Sequence, residues 1–128
     1  MKPVILIPTY NESIAIVELL SKLSTLHNER DFDVVVLDDN SPDKTADIVD
    51  SMNLSWVSVL RRPGKAGLGA AYRAGFAHVL TMNKYSQIVT MDADGSHRVE
   101  DLPAMLDASS DPVSITLGTR WMLSLIHI

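Results

Sequence analysis

The sequence predicts an α/β protein built on an open, mostly parallel sheet flanked by helices. Three observations point there. Short apolar runs rich in β-branched residues recur along the chain. Segments with helical spacing of apolar residues separate them. The runs are apolar throughout rather than alternating, as expected of strands covered by helices on both faces. Strands alternating with helices pair in parallel through right-handed crossovers.

The elements follow in order. Residues 4–7 form the first strand, and Pro8 ends it. Asn11 or Ser13 can cap a helix carrying Ile16, Val17, Leu19, Leu20, Leu23 and Leu26 at near-helical spacing. Residues 34–37 form a second strand, closed by the turn Asp38-Asp39-Asn40-Ser41-Pro42. Asp43 or Thr45 starts a second helix with Ala46, Ile48, Val49 and Met52 inward. Residues 57–60 form a third strand. A Gly-rich loop, RRPGKAGLG, leads into a helix over about 69–82. Residues 88–91 form a fourth strand, ending in the acidic turn MDADGSH. Residues 102–106 read as a helix and 113–117 as a fifth strand.

The composition limits what such a domain does. The 128 residues suffice for one ordinary domain, and 46% of them are hydrophobic, enough for a packed core. The net charge of −5 disfavours nonspecific nucleic-acid binding, which needs a basic surface. The absence of cysteine excludes disulfides, thiolate metal sites and cysteine nucleophiles, and is compatible with a cytoplasmic location. No apolar run approaches the roughly 20 residues of a membrane span, and the short apolar stretch at the start meets Pro8 too soon for a secretory signal.

In an open parallel sheet, ligands bind outside the carboxyl ends of the strands. Residues 9–12, 38–43, 61–67, 92–97 and 118–120 should therefore gather on one edge. Asp92 and Asp94, two apart across a turn, offer oxygen ligands suited to Mg2+ or Mn2+, whose other positions diphosphate and water would fill. Ser96 or His97 can add a contact. The same residues also make a solvated Asx-turn capping the next helix. Asp38 or Asp39 can accept hydrogen bonds from a base or ribose, and the turn they start is equally a helix cap. Tyr10 can stack on a base with Glu12 accepting from its edge; Glu12 is also well placed for a helix dipole. The glycine loop fits neither a dinucleotide fingerprint nor a P-loop, which disfavours a dinucleotide oxidoreductase. Its small residues Gly69, Ala70, Ala71, Ala74, Gly75 and Ala77 suit close packing of the helix on the sheet. Arg61, Arg62 and Lys65 read as solvated loop cations able to reach phosphates, and Arg120 as a phosphate contact or a surface ion pair.

Five motifs, IPTYNE, LDDNSPD, GKAGLGAAYRAGF, MDADGSH and GTRW, stand in an order and spacing that resembles the family 2 glycosyltransferases of GT-A fold, in particular those acting on polyprenol or dolichol phosphate. The resemblance implies that Pro8, Tyr10, Glu12, Leu37 and Asp39 contact a guanine nucleotide. It implies that Asp92, Ala93 and Asp94 hold the metal and donor diphosphate, Asp92 and Asp94 being the metal-binding, catalytic pair, and that Arg120 lies on the donor site. Gly95 stands where leucine is common, and Ser96 where some members carry a glutamine that helps hold the metal. The implied reaction moves mannose from GDP-mannose to a polyprenyl or dolichyl phosphate, with inversion and with Mg2+ or Mn2+, at a membrane surface where the lipid acceptor is met. The alternatives are another sugar transferase of the family using a UDP- or GDP-sugar, and an inactive nucleotide-binding fragment. The family's domain runs further than this chain, so residues 1–121 are expected to be its N-terminal, nucleotide-sugar-binding part. The closing LSLIHI departs from the family pattern, and residues 122–128 are expected to be a non-native tail.

Overall fold

The computed structural model describes residues 2–64, 67–94 and 98–107, and the backbone of two further strands at Ser114–Gly118 and Leu123–His127. Lys65, Gly95, Ser96, His97, Arg120 and Trp121 lie outside the described residues.

The chain runs β1 (Lys2–Thr9), α1 (Ser13–His27), β2 (Asp33–Asp38), α2 (Thr45–Ser51), β3 (Val57–Arg61), α3 (Leu68–Met82), β4 (Tyr85–Thr90), a 3-10 turn (Val99–Asp101), α4 (Leu102–Asp107), β5 (Ser114–Gly118) and β6 (Leu123–His127). One sheet holds all six strands in the order β3-β2-β1-β4-β5-β6. The first five are parallel, and β6 joins β5 antiparallel. Strand order reverses between β1 and β4, whose pairing stops at Leu6 and Thr90, and this type of sheet binds its ligands in the crevice at such a switch, outside the carboxyl ends of the strands.

The pleat explains the apolar runs. Ile5, Ile7, Val34, Val36, Val89 and Met91 face α1, α2 and α4 on one side. Val4, Leu6, Val35, Leu37 and Ile88 face α3 on the other. Successive side chains point to opposite faces, so a strand covered twice is apolar at every position. Burial of Ile16, Leu19, Leu20 and Leu23 fixes which stripe of α1 meets the sheet. Gly75 lets α3 lie close. A Cβ there would stand 2.7 Å from Leu37 Cδ1 and 3.1 Å from Leu6 Cδ1.

Two local expectations are revised. Pro8 does not end β1; it pairs in register with Leu37, and the strand runs to Thr9. Leu6 C=O accepts from Met91 N–H on the β4 side, and Thr9 C=O accepts from Asp39 N–H on the β2 side. Pro8, two residues past Leu6, therefore turns its missing donor toward β4, whose pairing with β1 has already stopped at Thr90. The proline falls where the crevice opens and no ladder bond is lost. The second revision concerns α1. Its N-cap is Glu12, which makes no side-chain capping bond, and the orphan donor of Ser13 is satisfied from another loop.

Candidate functional site

The ends of β1 and β2 are laced together. After β1 the chain turns at Asn11 (φ 54°), and after β2 at Asn40 (φ 56°), left-handed positions that asparagine tolerates well. Asn11 N–H donates to Ser41 Oγ (3.0 Å), Glu12 N–H to Thr45 Oγ1 (3.3 Å) and Ser13 N–H to Asp43 Oδ2 (3.1 Å). Asp43 N–H returns a bond to Asn11 Oδ1 (3.3 Å). Asp43 thus caps α1 from 30 residues away, supplying an anion at its positive end.

Asp38 and Asp39 divide two tasks. Asp38, 3% exposed, accepts from Thr9 Oγ1 (2.7 Å), Ser41 Oγ (2.6 Å) and Ser41 N–H (3.0 Å). Its lone pairs are committed to holding the two loops. Asp39 points the other way, into a cleft of roughly 250 Å³. Pro8, Thr9, Tyr10 and Glu12 form one wall of that cleft, and Gly67, Leu68 and Ala71 at the start of α3 form the other. Gly67 adopts φ 91°, ψ 160°, a conformation essentially reserved for glycine, where the chain enters α3.

Arg62 differs from the solvated cation expected. Its Nε lies 2.8 Å from Asp39 Oδ1, with both side chains largely buried. The N–H points off the oxygen, so the contact is a close ion pair without an aligned hydrogen bond. Arg62 Nη1 donates to Ala70 C=O of α3 (2.6 Å), and Arg62 N–H to Asp38 C=O (2.8 Å). Arg61, the residue before, turns to the opposite side and pairs with Asp47 and Asp50 of α2. Alternation past a strand end could have signalled this division, since only one of two successive arginines can face the crevice.

The acidic turn stands beside the cleft. Asp92 is half-buried, Ala93 is buried and Asp94 is exposed. Tyr72 of α3 stands against Asp92: burial raises its phenol, as do the charge of Asp92 and a hydrogen bond to it, while a bond with Thr90 opposes them. Nothing in the sequence singled out Tyr72. Asp94 instead borders a groove along α1 with Asn11, Glu12 and Asp43. Glu12 lies within reach of both fields. Burial raises its carboxyl above the ordinary value, and the charges of Asp94, Asp92 and Asp43 raise it further, against a hydrogen bond from Tyr10 N–H. The carboxylates therefore concentrate negative potential at the β1/β4 crevice. Among the described residues no three His, Asp or Glu side chains are placed to hold a metal by themselves. Leu37 is fully buried, and its side chain packs beside Gly75 in the core below the cleft.

Residues 4–123 match the family described as Glycosyl transferase family 2. The chain belongs to this family. Among its family 2 relatives, the polyprenol monophosphomannose synthase of Mycolicibacterium smegmatis is 39% identical over 124 residues, covering 94% of this chain and 46% of that protein. The undecaprenyl-phosphate mannosyltransferase of Micrococcus luteus is 44% identical over 122 residues, covering 94% and 49%. The dolichol-phosphate mannosyltransferase of Pyrococcus furiosus is 32% identical over 123 residues, covering 95% and 34%. The chain thus spans about half the length of the first two and a third of the last. The solved mannosyltransferase PcManGT from Pyrobaculum calidifontis, in complex with GDP-Man and Mn2+, superposes with a TM-score of 0.59 at 24% identity, over 73% of this chain and 27% of that one. The fold is accordingly of GT-A type.

Proposed function

We propose that the chain is the donor-binding part of a metal-dependent, inverting glycosyltransferase that moves mannose from GDP-mannose to a polyprenyl or dolichyl phosphate. The observation that carries this reading is the crevice itself. A buried acid, Asp39, faces a cleft between Tyr10 and the start of α3, and a second set of carboxylates stands where a diphosphate would emerge. The mannosyltransferase relatives and the GDP-Man and Mn2+ of the structural neighbour support the donor and the sugar.

Each residue then has a task. Tyr10 and Pro8 offer flat apolar surface to a base, and the Asp39 carboxylate accepts from its ring N–H groups. Asp92 and Asp94 present oxygen donors, and their charges, added to burial, raise the Glu12 carboxyl, a repulsion that a divalent cation would relieve. Two protein carboxylates suit Mg2+ or Mn2+, which keep positions for water and phosphate oxygens. Bound there, the cation would stabilise the departing diphosphate as a Lewis acid. An acceptor phosphate is already anionic near neutral pH, so the site needs no general base to generate its nucleophile. Among the described residues no helix is long and apolar enough to cross a membrane.

Calorimetry with GDP and Mn2+, with and without chelator, tests donor binding, and transfer from GDP-mannose to a short polyprenyl phosphate tests activity. Metal-dependent GDP binding lost in Asp94→Ala is the expected result. Binding that survives both chelation and this substitution would remove the metal assignment. A panel of GDP- and UDP-sugars tests the sugar and base, and preference for a UDP-sugar would overturn the mannose reading.

A further inference from the structure

The Asp39–Arg62 contact is unusual in where it sits. Both side chains are nearly out of water, at 8% and 12% exposure, and their atoms approach to 2.8 Å. Yet neither Asp39 Oδ1 nor Arg62 Nε completes an aligned hydrogen bond. Desolvating two charges is costly, and an imperfectly aligned pair recovers little of that cost, so stability alone is a poor reason for it. Position is a better one. The guanidinium reaches the start of α3 through Ala70 C=O and the end of β2 through its own backbone N–H to Asp38 C=O. It therefore ties the end of β2 to α3, one wall of the cleft, and grips the acid that faces the cleft just past β2.

We propose that Arg62 is a positioning residue of the donor site, holding one Asp39 oxygen so that the other is presented to ring N–H donors of a nucleobase. The inference rests on the nucleotide-sugar reading above and deepens it. An acid held in this way acts only as an acceptor. It suits a base edge carrying N–H groups, as in guanine or uracil, and repels the ring-nitrogen acceptors of adenine and cytosine. Arg62 itself need not touch the ligand.

The test is a calorimetric double-mutant cycle on the full 128-residue chain, with Arg62→Met, Arg62→Lys, Asp39→Asn and the combined variants, each checked for folding by circular dichroism. The probes are Mn2+ with GDP and Mn2+ with inorganic pyrophosphate. Arg62→Met is expected to weaken GDP binding by about tenfold or more, as truncating one partner of a buried charge pair does. Arg62→Lys should recover part of the loss, and Arg62→Met should add little once Asp39 is Asn. Pyrophosphate binding should change less than twofold. GDP binding unchanged in Arg62→Met, or equal losses for GDP and pyrophosphate, would overturn the inference and leave the nucleotide site standing. A wild-type chain that binds neither probe would remove the nucleotide reading and this inference with it. If Arg62→Met does not fold, the cycle of Arg62→Lys with Asp39→Asn gives a smaller coupling of the same sign, and its absence overturns the proposal.

Discussion

The two ends of the same sheet are built on opposite principles. At the amino end, His27, Phe32 and Trp56 close the gap between α1, β2 and β3. His27 stacks on Trp56 with ring centroids 4.5 Å apart, Phe32 meets Trp56 edge-on at 5.6 Å, and His27 Nε2 donates to Phe32 C=O (3.0 Å). Nearby, Asp33 is held by Lys2 (3.1 Å), Lys84 (3.6 Å) and the Tyr85 hydroxyl (2.8 Å). Burial pushes the Asp33 carboxyl up, but those bonds and charges outweigh it and hold it below its ordinary value. At the carboxyl end the balance reverses. Glu12 is pushed up by burial and by Asp94, Asp92 and Asp43. Asp33 at the amino end is matched by cations, whereas Glu12 at the carboxyl end is crowded by Asp94, Asp92 and Asp43. The amino end is tied together by ring stacking and ion pairs, and the carboxyl end opens into the cleft to which the proposed function assigns the donor.

Substitutions at the two ends should separate these roles. The largest loss of stability is expected from Phe32→Ala, which empties a fully buried ring site and should cost about 3–5 kcal/mol in urea unfolding. GDP binding by the fraction that stays folded should not change. Weakened binding at full folding would break the contrast between the ends. Asp38→Ala should follow at about 3 kcal/mol, because it strands the Thr9 and Ser41 hydroxyls, and it should impair nucleotide binding as well by loosening both loops. Asp43→Ala removes the long-range cap of α1 and should cost about 1 kcal/mol, with the first turn of α1 losing amide protection in hydrogen exchange. Asp33→Asn should be mildest, at or below about 1 kcal/mol near neutral pH. Its folded carboxyl lies below the ordinary 3.8, so its contribution is complete above that value and is lost as pH falls through the lower folded value. Wild type and Asp33→Asn should therefore converge in stability on acidification. A gap that persists at low pH would show that the charge is not what Asp33 contributes.

Much of the framework was legible in the residues. The apolar runs at 4–7, 34–37, 57–60 and 88–91 became β1 to β4, and the stripe from Ile16 to Leu23 became the buried face of α1. The need for small residues on α3 was readable in GLGAAYRAG, and Gly75 is where the sheet comes too near for a Cβ. The rule that ligand residues follow parallel strands placed Tyr10, Glu12, Asp39, Asp92 and Asp94 on one edge. All of these signals are local: hydrophobic period, turn chemistry and order along the chain.

What the tertiary structure alone decided is which polar group serves which partner. Nothing in LDDNSPD distinguishes Asp38, tied into the loop network by Thr9 and Ser41, from Asp39, held by Arg62 at the cleft. Alternation in RRPG sets Arg61 and Arg62 on opposite sides, but not which of the two is the buried one. The cap of α1 comes from Asp43, and Tyr72 stands against Asp92. The pairings Thr9–Asp38, Asp39–Arg62, Ser13–Asp43 and Tyr72–Asp92 join residues about 20 to 30 positions apart, and the strand order that brings them together is written in no single segment. Hydrophobic period specifies which face of an element is buried. The direction of a charge depends on which other elements arrive beside it, and only the assembled sheet settles that.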